Sequence, residues 1–258
     1  MKLLKFVSLC FALFAAVLLP SCQEDEDRLF GQQQPRLGQL ELAFDNVVGM
    51  APLELGRATP YQTANGDQFT VTTFRYYISN IKLTKADGTE FAQPESYYLI
   101  DEEIPSSKTF TIPNIPTGTY TKLTFTIGVD EARNTAGAQT GALAISDMFW
   151  SWSTGYIYTK LEGRSPQSPN GAIIFHIGGF ITPNNTIRTV SPAMSNAIQV
   201  RDARTQQVRV KANILNMFTG PNTIRFATTN NVMGGAPAVL VANNQAAGMF
   251  TIDKITDR

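Results

Sequence analysis

Short apolar runs with a two-residue period dominate the chain from residue 39 onward. The clearest run spans residues 69–83, where Phe74, Tyr76 and Ile78 fall on one face of an extended strand. The alternation changes phase near residues 79–80, which predicts a bulge or bend that brings the later apolar positions back into use. This segment is therefore predicted to be a long, bent strand.

Further strands follow the same pattern and are separated by Gly, Pro and Asn, residues that favour turns. Residues 130–147 lack this alternation and predict a long loop, with a short helix near 146–150. Residues 229–237 predict another loop, and residues 242–249 a second short helix. The predicted fold is mostly β: an antiparallel β-sandwich, Ig-like or related, with long loops and one or two short helices. The further strands are predicted at residues 39–44, 97–100, 108–112, 120–129, 156–161, 172–177, 186–190 and 207–214.

The N-terminal segment has the pattern of a targeting sequence. Lys2 and Lys5 precede an apolar run at 6–19, which is too short and wrongly flanked for a membrane-spanning helix. The run ends in Leu19-Pro20-Ser21-Cys22, which resembles the lipobox of bacterial lipoproteins. We therefore predict a signal peptide at 1–21 and lipidation of Cys22, which anchors the chain to a membrane. The alternative is an ordinary secretory peptide that is cleaved near the same position.

An acidic stretch follows Cys22 directly. Residues 24–27 are Glu, Asp, Glu and Asp, and segment 22–38 is rich in Gln and charge, as in a flexible tether. An acidic stretch beside a lipidated cysteine also resembles the export signal of Bacteroidetes surface lipoproteins. This resemblance implies a lipid-anchored protein of the outer membrane, exposed at the cell surface, whereas a plain solvated tether leaves the leaflet open. The β domain is expected over residues 39–258.

Composition excludes several classes of function. Lys and Arg number 21, as do Asp and Glu, so the net charge gives no electrostatic case for nucleic-acid binding. Cys10 lies in the signal peptide and Cys22 carries the anchor, which leaves residues 39–258 without a disulfide or a thiolate site. The single histidine, His176, has no nucleophile elbow around it, and the sequence contains no phosphate-binding loop. We therefore expect that the protein is not an enzyme.

One segment combines both tryptophans of the protein with two tyrosines. Trp150 and Trp152 are two residues apart, so an extended chain places their side chains on one face. Tyr156 and Tyr158 follow, and the four rings could together stack against a ligand such as a glycan. The alternative is that the tryptophans anchor the core of the sandwich. A structural or assembly role without any small ligand is a further alternative.

Six segments of the chain resemble the MbnP-like family, and they occur in the family's order over nearly the whole of 39–258. They are FRYYISNI at 74–81, GVD at 128–130, GAQTGAL at 137–143, MFWSW at 148–152, FHIGG at 175–179 and AGMF at 247–250. The resemblance implies a copper-associated envelope protein. It also implies a partner, a dihaem protein related to cytochrome c peroxidases, that oxidises a tryptophan of the MbnP-like protein to kynurenine.

Within this resemblance, Trp150 is the expected kynurenine and Trp152 is the second candidate. An intact indole nitrogen is a donor only, whereas the opened ring offers an amine and a carbonyl to a metal. His176 would add an imidazole, which suits copper, and Met148 would add a soft sulfur. His176 also lies between two apolar residues, so a hydrogen-bonded histidine at the core or its rim is the alternative.

The chain departs from the family at three positions that could carry ligands. Relatives often have a histidine near Asn46, an Asp-Pro pair at residues 144–145 and a histidine near residues 230–231, and this chain has none of them. One histidine and one kynurenine make a small ligand set. Met233 and Met249 are further soft donors for copper, although methionine is used more often for core packing.

Overall fold

The regular structure of the chain is mostly strand. The computed structural model describes residues 35–137, 139–144, 146–151 and 154–258. The predicted signal peptide at 1–21, the lipidation site Cys22, the tether before Pro35 and the second tryptophan, Trp152, lie outside the described residues. Within those residues, no helix is long and apolar enough to cross a membrane.

Sixteen strands run through the described residues, and the first begins two residues before the expected domain boundary. The strands are β1 Leu37–Val48, β2 Ala51–Pro52, β3 Tyr61–Gln62, β4 Gln68–Lys85, β5 Glu90–Ala92, β6 Tyr97–Asp101, β7 Thr109–Pro116, β8 Gly118–Ile127, β9 Phe149–Ser151, β10 Gly155–Arg164, β11 Ala172–Gly178, β12 Arg188–Val190, β13 Ile198–Val200, β14 Gln206–Asn213, β15 Asn231–Met233 and β16 Phe250–Asp257. The α-helices are α1 Glu131–Thr135, α2 Leu215–Phe218 and α3 Gly235–Gly248, with 3-10 turns at Pro105–Lys108 and Gly141–Leu143.

The strands form two sheets. The small sheet has the order β16-β14-β1-β2, with β7 also paired to β1. The large sheet has the order β12-β8-β4-β10-β11-β15, and β13, β3, β5, β6 and β9 add to its central strands. The β1–β14 and β11–β15 pairs are parallel, and the other pairs described are antiparallel. The prediction of a mostly-β, sandwich-like fold is confirmed, with these two parallel pairs as the departure from a purely antiparallel one.

Aromatic side chains from both sheets meet in the core. Phe44 of β1 lies at ring-centroid distances of 6.2 Å from Tyr76 of β4 and 6.1 Å from Phe125 of β8. Phe250 of β16 lies 5.3 Å from Phe125, edge to face. Each fully buried aromatic side chain stabilises the fold by about 1.5–3 kcal/mol, and edge-to-face pairs add about 0.5–1.5 kcal/mol. The core therefore sits between the sheets.

Strand β4 follows the predicted alternation. Phe74, Tyr76 and Ile78 are fully buried in the core, while Arg75 and Tyr77 point to the opposite, outer face of the large sheet. The predicted bulge is also present: the pairing with β8 shifts register after Ser79, and Asn80 adopts a left-handed φ of 52°.

A second, smaller apolar cluster lies on the outer face of the large sheet. It forms where the segment between β8 and β10 folds back over the sheet and covers Tyr77. Helix α1 begins this segment, and the Asp130 side chain caps its first turn by accepting the Arg133 amide. The buried members of the cluster are Tyr77, Val129, Leu143, Met148, Tyr156, Ile157 and Tyr158.

Three local predictions were wrong. Residues 146–150 form a turn into strand β9, which pairs with β10, and not a helix. Helix α3 starts at Gly235 and not at 242, because Gly and Ala in its first turns hide the helical period. Part of the predicted 229–237 loop is strand β15, which pairs with β11 at the edge of the large sheet. A strand of three residues is too short to show the alternation that would predict it.

Candidate functional site

A row of side chains crosses five strands on the outer face of the large sheet. The strand register pairs Asp101 with Arg75, Arg75 with Lys160, Lys160 with His176, and His176 with Met233. Directly paired residues project to the same side of a sheet, so the five side chains form one line. The register thus places the only histidine between Lys160 on one side and the thioether of Met233 on the other, with Arg75 one strand beyond Lys160.

His176 keeps one ring nitrogen without a hydrogen-bond partner. The residue is 9% exposed, and its Nε2 lies 2.8 Å from Oε1 of Glu162. A carboxylate only accepts, so the proton in this contact is carried by Nε2, and in that tautomer Nδ1 has a lone pair. Nδ1 is buried and has no hydrogen-bond partner among the described residues. His176 is thus a hydrogen-bonded histidine at the rim of the core, as the alternative expected, but it keeps one ring nitrogen unpaired among the described residues.

Trp150 lies on a platform of two glycines beside His176. A methyl group added to Gly178 would lie 2.8 Å from Cζ3 of Trp150, so the indole occupies the space that a larger residue would fill. Gly234 forms the other part of the platform, and its amide donates to the carbonyl of His176 at 3.2 Å. Gly178 follows His176 by two residues, which is about 7 Å along a strand. The indole therefore lies over the face of β11 that also carries the imidazole.

An apolar groove of about 530 Å³ opens beside Trp150. Its walls are residues 178–184, which leave β11, and residues 233–235, which join β15 to α3. Ile181 is 63% exposed and Met233 is 54% exposed, so two large apolar side chains of this groove face solvent. Trp150, which is half-buried, can therefore be approached from outside the protein.

Asp147 links the segment that carries Trp150 to the row. Its carboxylate accepts Nη1 of Arg75 at 2.9 Å on each oxygen and Nζ of Lys160 at 2.8 Å. The hydrogen bond from Lys160 is the main cause that lowers the pKa of Asp147, and the charges of Lys160 and Arg75 act in the same direction. Burial lowers the pKa of Arg75, but the carboxylates around it outweigh burial and raise the pKa above its ordinary value. Lys160 also lies 3.7 Å from the Glu162 carboxylate that contacts His176.

Comparison with known proteins decides the family. The MbnP family model matches residues 37–234, which is most of the chain. The chain belongs to the MbnP family. Among solved structures, MbnP from Methylosinus trichosporium shares the fold, with a TM-score of 0.52 and 16% identity over 84% of this chain and 98% of that one. No curated protein matches the chain in sequence.

The methionines of this MbnP family member occupy different environments. Met148, the sulfur expected beside Trp150, is fully buried in the outer cluster, and Met249 is buried in the main core. Met233 is the methionine in register with His176. Within the described ranges, no group of three or more His, Cys, Asp or Glu side chains is arranged to hold a metal.

The proposed stacking platform of four rings does not form. Tyr156 and Tyr158 are at most 1% exposed, and their hydroxyls are bonded to the Leu143 carbonyl and the Asn134 amide respectively. Burial also raises the pKa of Tyr158 well above the ordinary value for tyrosine. Sequence alternation placed these rings on one face but could not show that the 128–148 segment covers that face.

Asn46, where relatives often have histidine, lies on the other side of the large sheet from His176. Its Nδ2 donates to Glu102 at 2.8 Å, and its Oδ1 accepts the hydroxyl of Tyr76 at 2.9 Å. Because Tyr76 points into the core and His176 points to the outer face, Asn46 does not add to the row.

Sequence reasoning missed the partners of His176 and Trp150. Glu162, Lys160 and Asp147 were not singled out, and neither were Gly178 and Gly234 as the floor under Trp150. One signal was available: Lys160 and Glu162 alternate on an otherwise apolar strand, which indicates a polar stripe on one face. Their meeting with His176 depends on the β10–β11 register, which no local pattern reveals.

Proposed function

We propose that this MbnP family member is a copper-binding protein of the cell envelope and an oxidation substrate, and not itself a catalyst. His176 supplies an imidazole, and Trp150, once converted to kynurenine, supplies a second donor. The observation that carries the proposal is the buried Nδ1 of His176, which has no hydrogen-bond partner among the described residues while Nε2 is held by Glu162.

The His176–Glu162 pair has the arrangement that metal-binding histidines commonly show. A ligating imidazole usually donates its other N–H to a carboxylate, which fixes the ring and raises its basicity. Imidazole and thioether donors suit copper, and Met233 stands in register with His176. Met233, half exposed at the groove, is therefore a better candidate sulfur ligand than the fully buried Met148.

Kynurenine formation would turn Trp150 from a donor-only ring into a metal ligand. Two equivalents of peroxide, reduced to water by a dihaem peroxidase-like partner, would remove four electrons and add two oxygen atoms across the C2–C3 bond. That bond breaks to give N-formylkynurenine, and water then releases formate and leaves the aromatic amine. The exposed groove beside Trp150 gives a partner access to the segment. Trp152 is the second candidate for the same conversion.

A membrane anchor at Cys22 is part of the proposal. Lipidation of Cys22 would hold the protein on the outer membrane, and an acidic tether would give the β domain freedom to meet a partner in the envelope or at the cell surface. Fourteen residues lie between Cys22 and the first residue of β1, so this segment can span at most about 50 Å when fully extended.

Copper content measured on matched variants tests the proposal. Wild-type protein, treated with peroxide and a dihaem peroxidase, should bind copper after dialysis, and His176→Ala and Trp150→Phe should each bind much less. Trp152→Phe tests the second candidate and should bind as wild type if Trp150 is the ring that is converted. Glu90→Gln, which removes a surface ion pair with Lys82, is the matched control. Equal copper content in wild type and His176→Ala would overturn the proposed site. Binding of a glycan by the untreated protein, without any copper, would favour the ligand-binding alternative.

A further inference from the structure

Asp147 ties a non-strand segment to the large sheet. Asp147 precedes Trp150 by three residues and lies in a turn, outside every strand described. The cations that it contacts, Arg75 and Lys160, belong to the central strands β4 and β10. These ion pairs therefore join the turn that precedes Trp150 to the sheet. An ion pair between two strands would not restrain that turn.

The same segment has a second attachment at Trp150. The indole rests on Gly178 and Gly234, and the Met148 carbonyl accepts the amide of Ile157 at 2.8 Å. The Trp150 ring is only half-buried, so packing alone holds it less firmly than a core aromatic residue. Besides the pairing of β9 with β10, Asp147 supplies the charged contacts described that hold this segment against the sheet.

The surroundings make these ion pairs stronger than ordinary surface pairs. Lys160 is 8% exposed, and the Arg75 side chain is 19% exposed and also faces Asp101 and Glu103. Charge-assisted bonds to such partly buried, fixed cations are stronger and better directed than bonds between two mobile surface chains. The Asp147 side chain itself is 54% exposed, so it can be replaced without opening a cavity.

We propose that Asp147 is a positioning residue that holds Trp150 beside His176 through Arg75 and Lys160. The reason for holding Trp150 in place rests on the proposed function, whereas the way it is held rests on the ion pairs of Asp147 with Arg75 and Lys160. Lys160 faces both Asp147 and Glu162. Without the charge of Asp147, Glu162 is the remaining carboxylate near the ammonium, which draws that carboxylate away from His176. Asp147 thus acts on the indole through the backbone between residues 147 and 150, and on the imidazole through Lys160 and Glu162.

Acrylamide quenching of Trp150 fluorescence tests the inference in the full chain. A Trp152→Phe background leaves Trp150 as the only tryptophan. Asp147→Asn should raise the quenching constant about twofold, because the released segment opens more often to solvent. Asp147→Glu should restore most of the protection. Asp253→Asn is the matched control, since it removes an Asp–Lys pair of the small sheet, at 2.6 Å from Lys211, and should change nothing.

An unchanged quenching constant in Asp147→Asn, with unchanged amide exchange over residues 146–151, would overturn the inference. Copper binding measured on the same variants separates it from the proposed function. If copper fails to bind to wild type but Asp147→Asn still exposes Trp150, the proposed function fails and the positioning role stands. If copper binds and Asp147→Asn behaves as wild type in both readouts, the positioning role fails alone.

Discussion

Trp150 and Gly178 fit together so closely that a methyl group on the glycine would lie 2.8 Å from the indole and 2.6 Å from the Tyr156 carbonyl. The absence of a side chain at Gly178 therefore sets the position of the Trp150 ring on the face of β11 that also carries His176. This contact, and not the pairing of the two tryptophans in sequence, places the aromatic ring near the imidazole.

Gly178→Ala should displace Trp150 and destabilise the fold. The added methyl group has to push against both the indole and a backbone carbonyl, which costs about 1–3 kcal/mol. Urea unfolding gives the stability, and the emission maximum of Trp150 in a Trp152→Phe background should shift to longer wavelength. Gly163→Ala is the control, because its methyl group would meet the Thr70 carbonyl on the same sheet without contacting Trp150. A red shift of equal size in both variants would contradict the platform.

Glu162→Gln should weaken copper binding while the fold is kept. An amide in place of the carboxylate no longer favours the proton on Nε2 of His176, and loss of such a partner typically costs about 10–100-fold in metal affinity. Competition with a chelator of known affinity measures the change. Glu90→Gln, which removes a surface ion pair with Lys82, is the matched control. Unchanged affinity in Glu162→Gln would show that the His176–Glu162 contact has no part in metal binding.

The two methionines near the site should respond oppositely to truncation. Met148→Ala should lower the free energy of unfolding by about 2–5 kcal/mol, because it empties a fully buried site. Met233→Ala should leave stability nearly unchanged but reduce affinity for Cu(I), because its side chain is exposed beside His176. Thermal unfolding and Cu(I) titration distinguish the two residues. Copper affinity that depends on Met148 and not on Met233 would reverse this assignment.

The contribution of Asp147 to stability should disappear in acid. Its pKa is lowered in the folded protein, so its ion pairs are complete above the ordinary carboxyl pKa of about 3.9 and are lost as the pH falls through the lowered value. At pH 7, Asp147→Asn should be less stable than wild type by about 1 kcal/mol. At pH 2.5 this difference should shrink towards zero. A difference that is the same at both pH values would exclude the ion pairs as its source.

Much of the fold could be predicted because apolar and polar residues alternate along its longer strands. The burial of Phe74, Tyr76 and Ile78 on one face of β4, and the bulge at Asn80, follow directly from the two-residue period and its change of phase. Helix α3 was placed too short, because its first turns contain Gly, Ala and Pro and no clear apolar face. Short edge strands such as β15 carry too few residues to show any period.

The candidate site could be predicted only in part. His176 and Trp150 were found from their rarity and from family resemblance, but their partners depend on register. Glu162 reaches His176 because β10 and β11 pair as they do, and Met233 stands beside His176 because β15 adds in parallel. The role of Gly178 depends on a contact between residues 28 positions apart. Such relationships arise from the packed structure, and no segment contains them by itself.

The proposed function requires that Trp150 becomes a metal-binding kynurenine. Tandem mass spectrometry of the peptide that spans residues 147–160, taken from protein isolated from its native envelope, tests this most directly. We expect Trp150 to have gained two oxygen atoms and lost the carbonyl of the formyl group, Trp152 to be intact, and the protein to contain copper. An unmodified Trp150 in copper-loaded native protein would contradict the proposal.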